Sequence, residues 1–392
     1  MREIHSFEEL TSFLKSGNSL KDTVVQSVDV TQISAEIVDA TIDNTVFLGC
    51  VLPENVLASV LARGACVFPT LTGLPFNPYA PTLYSAETLF DGFSPDDPCS
   101  YCQTTDAKVY QYWIDTGGPN PAKIPDALGR RLHDMAMTDA IGDFLESYAS
   151  HGKIVGMMGG HSMQRSDDAY LMAAQISREL TRRGYLMVSG GGPGAMEATH
   201  VGAWFAERSD SDLEEAVREL ATAPSYKDKQ WLACAFRVRE KFPLEADASH
   251  VSLGIPTWLY GHEPPTPFAT HIAKYFANSV REDGLVTIAA SGLIFAPGSA
   301  GTIQEIFQDA TQNHYATTGV SSPMVFLNSD YWTKEKPIYP LMKQLAQGYD
   351  YERLIAIFDD VNPVVEYIEK NPPIPSSAGK WSFCSAHCKP LA

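Results

Sequence analysis

The chain has 392 residues, 44% of them hydrophobic and 19% charged, a composition that can bury a sizeable core without disulfides. Its net charge of −18 argues against nonspecific nucleic-acid binding, which needs a basic surface, but not against capture of one small anion by backbone N–H groups. No uninterrupted apolar run is long enough for a membrane span, and the opening MREIHSFEELTSFLKSG is acidic where an export signal needs an apolar stretch, so a cytoplasmic protein is expected.

Residues 1–125 show no βα alternation and no internal repeats. Short β-like runs, DTVVQSVDV and NTVFLGCVL, precede the Pro- and Gly-rich FPTLTGLPFNPYAPTLY, and the segment reads as a separate N-terminal module of mixed or mainly β structure. Cys50, Cys66 and Cys234 have apolar neighbours and read as small buried hydrophobes. Cys99 and Cys102 form a C-x-x-C, and Cys384, His387 and Cys388 cluster near the end. Two distant pairs without ribbon-like flanks are a weak zinc signal, so free thiols and no metal are expected.

After a linker-like Asp115–Asp126 the pattern changes. Ala127–Ser150 reads as a helix and Lys153–Gly160 as a buried strand. Asp167–Arg183 has a helical period through Ala169, Leu171, Met172, Ile176 and Leu180. Tyr185–Gly192 reads as a second strand, and Pro193 opens a helix. Residues 208–248 read as a polar helical insertion, and His250–Ile255 as a third strand. Phe268–Val280 is expected as a helix, Gly292–Pro297 as a fourth strand, Thr302–Asn313 as a helix and Pro323–Asn328 as a fifth strand. An αβα stretch runs from Pro340 to Glu369. This alternation predicts an α/β fold: a Rossmann-like, doubly wound parallel sheet over residues 126–370, with the extra module before it and a Pro/Ser-rich tail over 371–392.

Ligands of such sheets bind at the carboxyl ends of the strands, and three strands here end in special loops. The first contains Gly160 and Ser162. The second is Gly190-Gly191-Gly192-Pro193-Gly194-Ala195-Met196; no second acidic-ended strand follows at the distance a dinucleotide fold requires, so NAD is not indicated. The third is Gly298-Ser299-Ala300-Gly301-Thr302, whose backbone N–H groups and hydroxyls make a phosphate cradle. It lacks the lysine of a P-loop, which favours a monophosphate over a metal-bound triphosphate. No lysine lies in any of the three loops, so a Schiff-base cofactor is not expected either. Glu305 has two readings: Thr302-x-x-Glu305 spells a helix capping box, or the carboxylate serves positive charge on a sugar.

The second loop and the stretch Pro297–Glu305 resemble the paired GGGxxGxM and PGGxGTxxE motifs of the LOG ("lonely guy") family, with Ser299 at the second glycine of PGG. Gly254–Trp258, Tyr260–Pro265 and Asn278–Glu282 look like the larger bacterial nucleosidases of that group. The resemblance covers roughly residues 150–330. It implies hydrolysis of the base–ribose bond of nucleoside 5'-monophosphates, no cofactor, and a homo-oligomer, for which a Tyr- and Phe-rich Phe268–Ala277 helix offers a face. It implies catalysis by Glu305 and by an arginine about 15 residues before the proline of the second motif. Glu282 stands at that spacing, but a glutamate cannot replace a guanidinium, so the neighbouring Arg281 is assigned. His262 and Glu263 line the base or sugar pocket or form a structural turn. A nucleotide sensor and a carrier of a phosphorylated cofactor, molybdopterin-like, remain alternatives on the same fold.

Overall fold

The N-terminal residues stack. In the computed structural model, which describes residues 1–148, 153–244 and 250–375, strands β1 (Arg2–Ile4), β2 (Thr23–Gln26), β3 (Val46–Leu48) and β4 (Cys66–Phe68) form a parallel sheet in sequence order. Helices α1 (Phe7–Gly17), α2 (Ser34–Asp39) and α3 (Glu54–Ala62) connect them. This corrects the expectation of a segment without βα alternation or repeats. Partners Arg2↔Thr23, Val24↔Val46 and Val46↔Cys66 recur at a step of about 21 residues, the scale of a solenoid coil. The repeated signal runs through several inward columns: Ile4, Val25, Phe47 and Val67 on the strands, in register through the stack, and Leu10, Ile33 and Val56, then Leu14, Ile37 and Val60, on the connecting segments. Cys66 lies on the last strand and is exposed, against expectation, because no further coil covers it.

The apolar core of the stack ends near Val67. Beyond it, α4 (Ala86–Leu89) and α5 (Thr105–Asp115) pack against later parts of the chain. Phe90 and Phe93 meet Phe236, and the Asp106 carboxylate accepts Tyr101 Oη (2.8 Å), Trp258 Nε1 (3.1 Å) and the buried Lys274 ammonium. Tyr84 pairs its backbone with Ile272 and its hydroxyl with His133 (2.8 Å). The long helix α6 (Ile124–Tyr148) follows.

The second sheet is built from β5 (Ile154–Met158), β6 (Leu186–Ser189), β7 (Ser252–Gly254), β8 (His271–Ile272), β9 (Leu293–Phe295), β11 (Met324–Leu327) and β12 (Ile355–Phe358). A short β10 (Val320–Ser321) instead pairs antiparallel with β13 (Ile374–Pro375), at the start of the expected tail. Neighbours run in the order β12-β11-β9-β5-β6-β7-β8, all parallel. The fold is therefore Rossmann-like, with one added edge strand, and the strand order reverses between β5 and β9. Alternate residues of each strand enter two cores: Val155, Met157, Met187, Ile294 and Val325 on one face, Met158, Leu186, Val188, Phe295 and Phe326 on the other. Helices cover both.

One face carries α7 (Asp168–Arg182), α8 (Ala195–Trp204), α9 (Asp210–Leu220) and α10 (Trp231–Lys241). The buried face of α7 includes Tyr170, Ala173, Ala174 and Ser177 beside the expected Ile176 and Leu180, because α8 packs closely on it. A Cβ at Gly202 would lie 2.1 Å from the Ala174 carbonyl oxygen. The opposite face carries α6, α11 (Asn278–Ile288), α12 (Ala300–Tyr315) and α13 (Ile338–Leu345), while α14 (Val361–Lys370) returns to the first. Of the expected helix over Phe268–Val280 only Asn278–Val280 forms, as the start of α11; Phe268–Ala277 is not helical and contains β8. This stretch runs extended beside β7, with Ala273 N–H bonded to Gly254 O and Tyr275 N–H to Pro256 O. Phe268, Ala273 and Tyr275 are buried within the chain, so the segment offers no face to a second copy. Among the described residues no helix is long and apolar enough to cross a membrane.

Candidate functional site

The three glycine loops converge at the reversal point. Gly160 N–H bonds to Pro297 O (3.0 Å) and Ala296 N–H to Met158 O (2.8 Å), zipping the loops after β5 and β9 together. The loop after β6 comes equally close: Gly194 has φ 72° and a Cβ there would lie 2.3 Å from Gly160 O. Only glycine meets both demands. Gly194 is also the residue before α8, so that helix opens at Ala195, two residues beyond Pro193, rather than at it. Beneath the loop, Ser189 Oγ accepts Gly191 N–H (3.1 Å) and contacts His200 Nε2 (2.8 Å), whose other ring nitrogen meets Ser252 Oγ (2.9 Å). Burial pushes His200 down to about 3, so the ring is neutral. The Met196 thioether lies against Gly190 and Gly192.

The loop after β9 is different in character. Gly190 to Gly194 are buried, whereas Ser299, Ala300 and Gly301 face solvent. Helix α12 begins at Ala300, and the Ser299 side chain makes no cap hydrogen bond. The first N–H groups of α12 are thus turned outward at the positive end of a helix, the arrangement that binds anions. Gly298 packs on Thr302, whose Oγ1 would be 2.1 Å from any Cβ there. Lys336, far away in sequence, reaches this loop: its Nζ donates to Gly298 O (3.0 Å) and Ser299 Oγ (3.2 Å), beside a Tyr331 hydroxyl that also donates to Gly298 O (2.5 Å). The loop carries no lysine of its own, and the tertiary structure supplies one.

Because α12 starts at Ala300, Thr302 lies inside the helix and Glu305 a turn and a half along it, so the two cannot form a capping box. Glu305 is 8% exposed, and Arg281 Nη1 stands 3.5 Å from its Oε1. Burial raises the Glu305 carboxyl to about 7, against the pull of Arg281 and with the push of Glu282. Arg281 also faces the second loop: its Nη2 is 3.5 Å from where a Cβ on Gly190 would be. Its Nε is buried without a hydrogen-bond partner. Glu282, the adjacent residue on α11, is turned elsewhere and accepts Asn278 Nδ2 (2.7 Å) and Gln304 Nε2 (2.5 Å). Asp134 of α6 fixes the start of α11, taking Phe276 N–H and Ala277 N–H at 2.8 Å each.

On the other side of the second loop, Glu263 lies near Gly192 and is flanked by His161 Nδ1 (3.3 Å) and His262 Nε2 (3.7 Å), both rings half exposed. Ser162 Oγ lies near Gly160. His161 stands in the first glycine loop, and its approach to Glu263 has no sequence signal. Neither does the buried clamp behind it. Arg165 forms a two-pronged ion pair with Glu197 (2.8 and 2.5 Å), Tyr170 Oη donates to the same carboxylate (2.9 Å), and Trp231 covers the guanidinium. This clamp ties the loop after β5 to α8; removing one partner would strand a buried charge. Cys99 and Cys102 are free and exposed, and the Cys384–Cys388 cluster lies outside the described residues. Among the described residues the one group close enough to hold an ion is Glu3, His5 and Asp143, remote in kind from the glycine loops.

No family model matches the sequence, and no curated protein does. Solved structures resemble the chain weakly. The molybdenum cofactor binding protein from the phototrophic bacterium Rippkaea orientalis and the Moco carrier protein from Chlamydomonas reinhardtii each share 14% identity, with a TM-score of 0.34, over 56% of this chain and 96% of theirs. A likeness of that degree says nothing about what this chain binds.

Proposed function

We propose that the chain hydrolyses the N-glycosidic bond of nucleoside 5'-monophosphates, releasing free base and ribose 5-phosphate. The observation that carries this reading is the buried Arg281–Glu305 pair beside the uncapped N-terminus of α12. The 5'-phosphate binds the N–H groups of Ala300, Gly301 and Thr302, with Lys336 as an added cation. The phosphate anchor then contributes orientation at the reacting carbon. Bond breaking develops an oxocarbenium-like sugar, whose charge Glu305 stabilises; the base leaves with the glycosidic electron pair, water bonds to the sugar carbon, and the proton that Glu305 takes from this water passes to the departing base. A carboxyl near 7 suits a general base at neutral pH. Arg281 keeps part of the Glu305 population ionised and steers the substrate between the second and third loops. The buried Gly190–Gly194 loop supports the ribose from below. The resemblance to the LOG family, which singles out the same two residues, also supports this reading.

Incubation with a panel of monophosphates, assaying free base and ribose 5-phosphate, tests it. AMP is expected to react at least about 100-fold faster than adenosine in kcat/KM, the effect of one charge-assisted anchor of about 3 kcal/mol. Binding of nucleotide with no base released would instead identify a sensor or a carrier of a phosphorylated cofactor.

A further inference from the structure

A cavity of about 210 Å³ opens beside His262; its lining includes Phe93, Tyr101, Tyr226 and Trp231 and, at one side, the charged Asp228 and Lys229. It is smaller than the roughly 300–1,000 Å³ of pockets that enclose a whole drug-sized ligand, so it takes one moiety rather than a complete nucleotide. Four of its walls are aromatic rings, Phe93, Tyr101, Tyr226 and Trp231, and they are fixed, Trp231 by the Arg165 guanidinium over its face. Tyr101 donates its hydroxyl to Asp106 (2.8 Å), Phe93 packs on Phe236 at 5.2 Å between ring centres, and Tyr226 packs edge-on against His161 at 5.8 Å. Arg237 of α10 donates to Pro95 O (2.8 Å), holding the 93–101 segment against that helix.

Position matters as much as lining. The anion-binding loop follows β9, the Gly160 loop follows β5 and the Gly190 loop follows β6, and these three strands are neighbours. Two strand spacings of about 4.8 Å carry a ligand roughly 10 Å along the strand ends, about the span from a 5'-phosphate past its ribose. Glu263 and His262 then lead from the Gly192 side of that loop into the cavity. We infer that this aromatic cavity is the base subsite, and that residues 93–101, outside the glycine-loop motifs, set specificity by stacking on a flat heteroaromatic ring. The inference rests on the nucleotide reading above. His262 lies at the subsite and Glu263 at the boundary between base and sugar.

The test is binding to the Glu305→Gln chain, which removes turnover, by calorimetry with AMP and with ribose 5-phosphate. Tyr226→Ala and Phe93→Ala, added singly, should each weaken AMP binding about 10-fold, the usual effect of losing one stacking ring, and leave ribose 5-phosphate binding unchanged. Tyr226→Phe should restore AMP binding, because it keeps the ring. Unchanged AMP affinity in both alanine variants, or an equal loss for both ligands, overturns the subsite assignment while leaving the nucleotide reading intact. Failure of the parent chain to bind either ligand overturns both. Far-ultraviolet circular dichroism of each variant separates loss of binding from loss of fold.

Discussion

Replacing Glu305 by Gln keeps shape and removes charge, and the structure assigns opposite signs to its two consequences. Burial, aided by Glu282 and resisted by Arg281, lifts the carboxyl from 4.5 to about 7. That displacement means the folded site disfavours the carboxylate, relative to the acid, by about 3 kcal/mol. A folded pKa above the unfolded one gives stability that is full below about pH 4.5 and is lost as pH rises through 7. Gln carries no such penalty. At pH 8 the variant should therefore be at least as stable as the parent, by up to about 3 kcal/mol, while Arg281 loses its partner and trims the gain. At pH 4 the two should unfold alike. Activity moves the other way: loss of a group that stabilises developing charge typically lowers kcat about 10²–10³-fold. Urea unfolding at pH 4 and pH 8, with base release from AMP in parallel, checks both. Retention of more than about a third of kcat refutes the catalytic assignment. A stability loss above about 1 kcal/mol at pH 8 refutes the electrostatic argument and makes Glu305 a structural anchor.

Glu305 must be ionised to act, so kcat/KM should fall about tenfold per pH unit below pH 7 in a steady-state profile; a flat rate from pH 5 to 8 contradicts this. Lys336→Gln should raise KM for AMP about tenfold with little change in kcat and no change toward adenosine, because the ammonium acts on the phosphate alone. Gly194→Ala should lower thermal stability by more than about 1 kcal/mol, since it combines a strained φ with a collision on Gly160 O, and a neutral result in a melting curve would mean the three loops are not locked together. Asp134→Ala strands the N–H groups of Phe276 and Ala277 and should cost about 2 kcal/mol or more, with a lower kcat because α11 carries Arg281. Light scattering at micromolar concentration should give at least a dimer mass, as the LOG resemblance implies; a monomer mass would contradict it.

Local pattern was enough to read the second sheet except its edge strand β8. Ile154–Met158, Leu186–Ser189 and Met324–Leu327 are apolar runs bounded by glycine, proline or asparagine, and a buried parallel strand needs little else to be recognised. The glycine loops were legible for the same reason, since backbone approach at Gly194 and Gly298 admits no side chain. Composition misled where neighbours overrode it. Phe268–Ala277 has a helix-like apolar content, yet β7 offered it backbone partners and it runs extended. The N-terminal stack is less legible because its strands are short and its apolar columns, such as Leu10, Ile33 and Val56, change residue type at a step that varies from coil to coil, so no fixed motif repeats. Tertiary structure alone decided the rest of the candidate site. The phase of α11 turned Arg281, not Glu282, toward Glu305, and the start of α12 at Ala300 took Glu305 out of a capping position. Lys336 and Tyr226 reached the loops from separate segments, and Glu263 met His161 of the first loop, contacts between residues far apart in sequence that depend on how whole elements dock, which no short window of sequence contains.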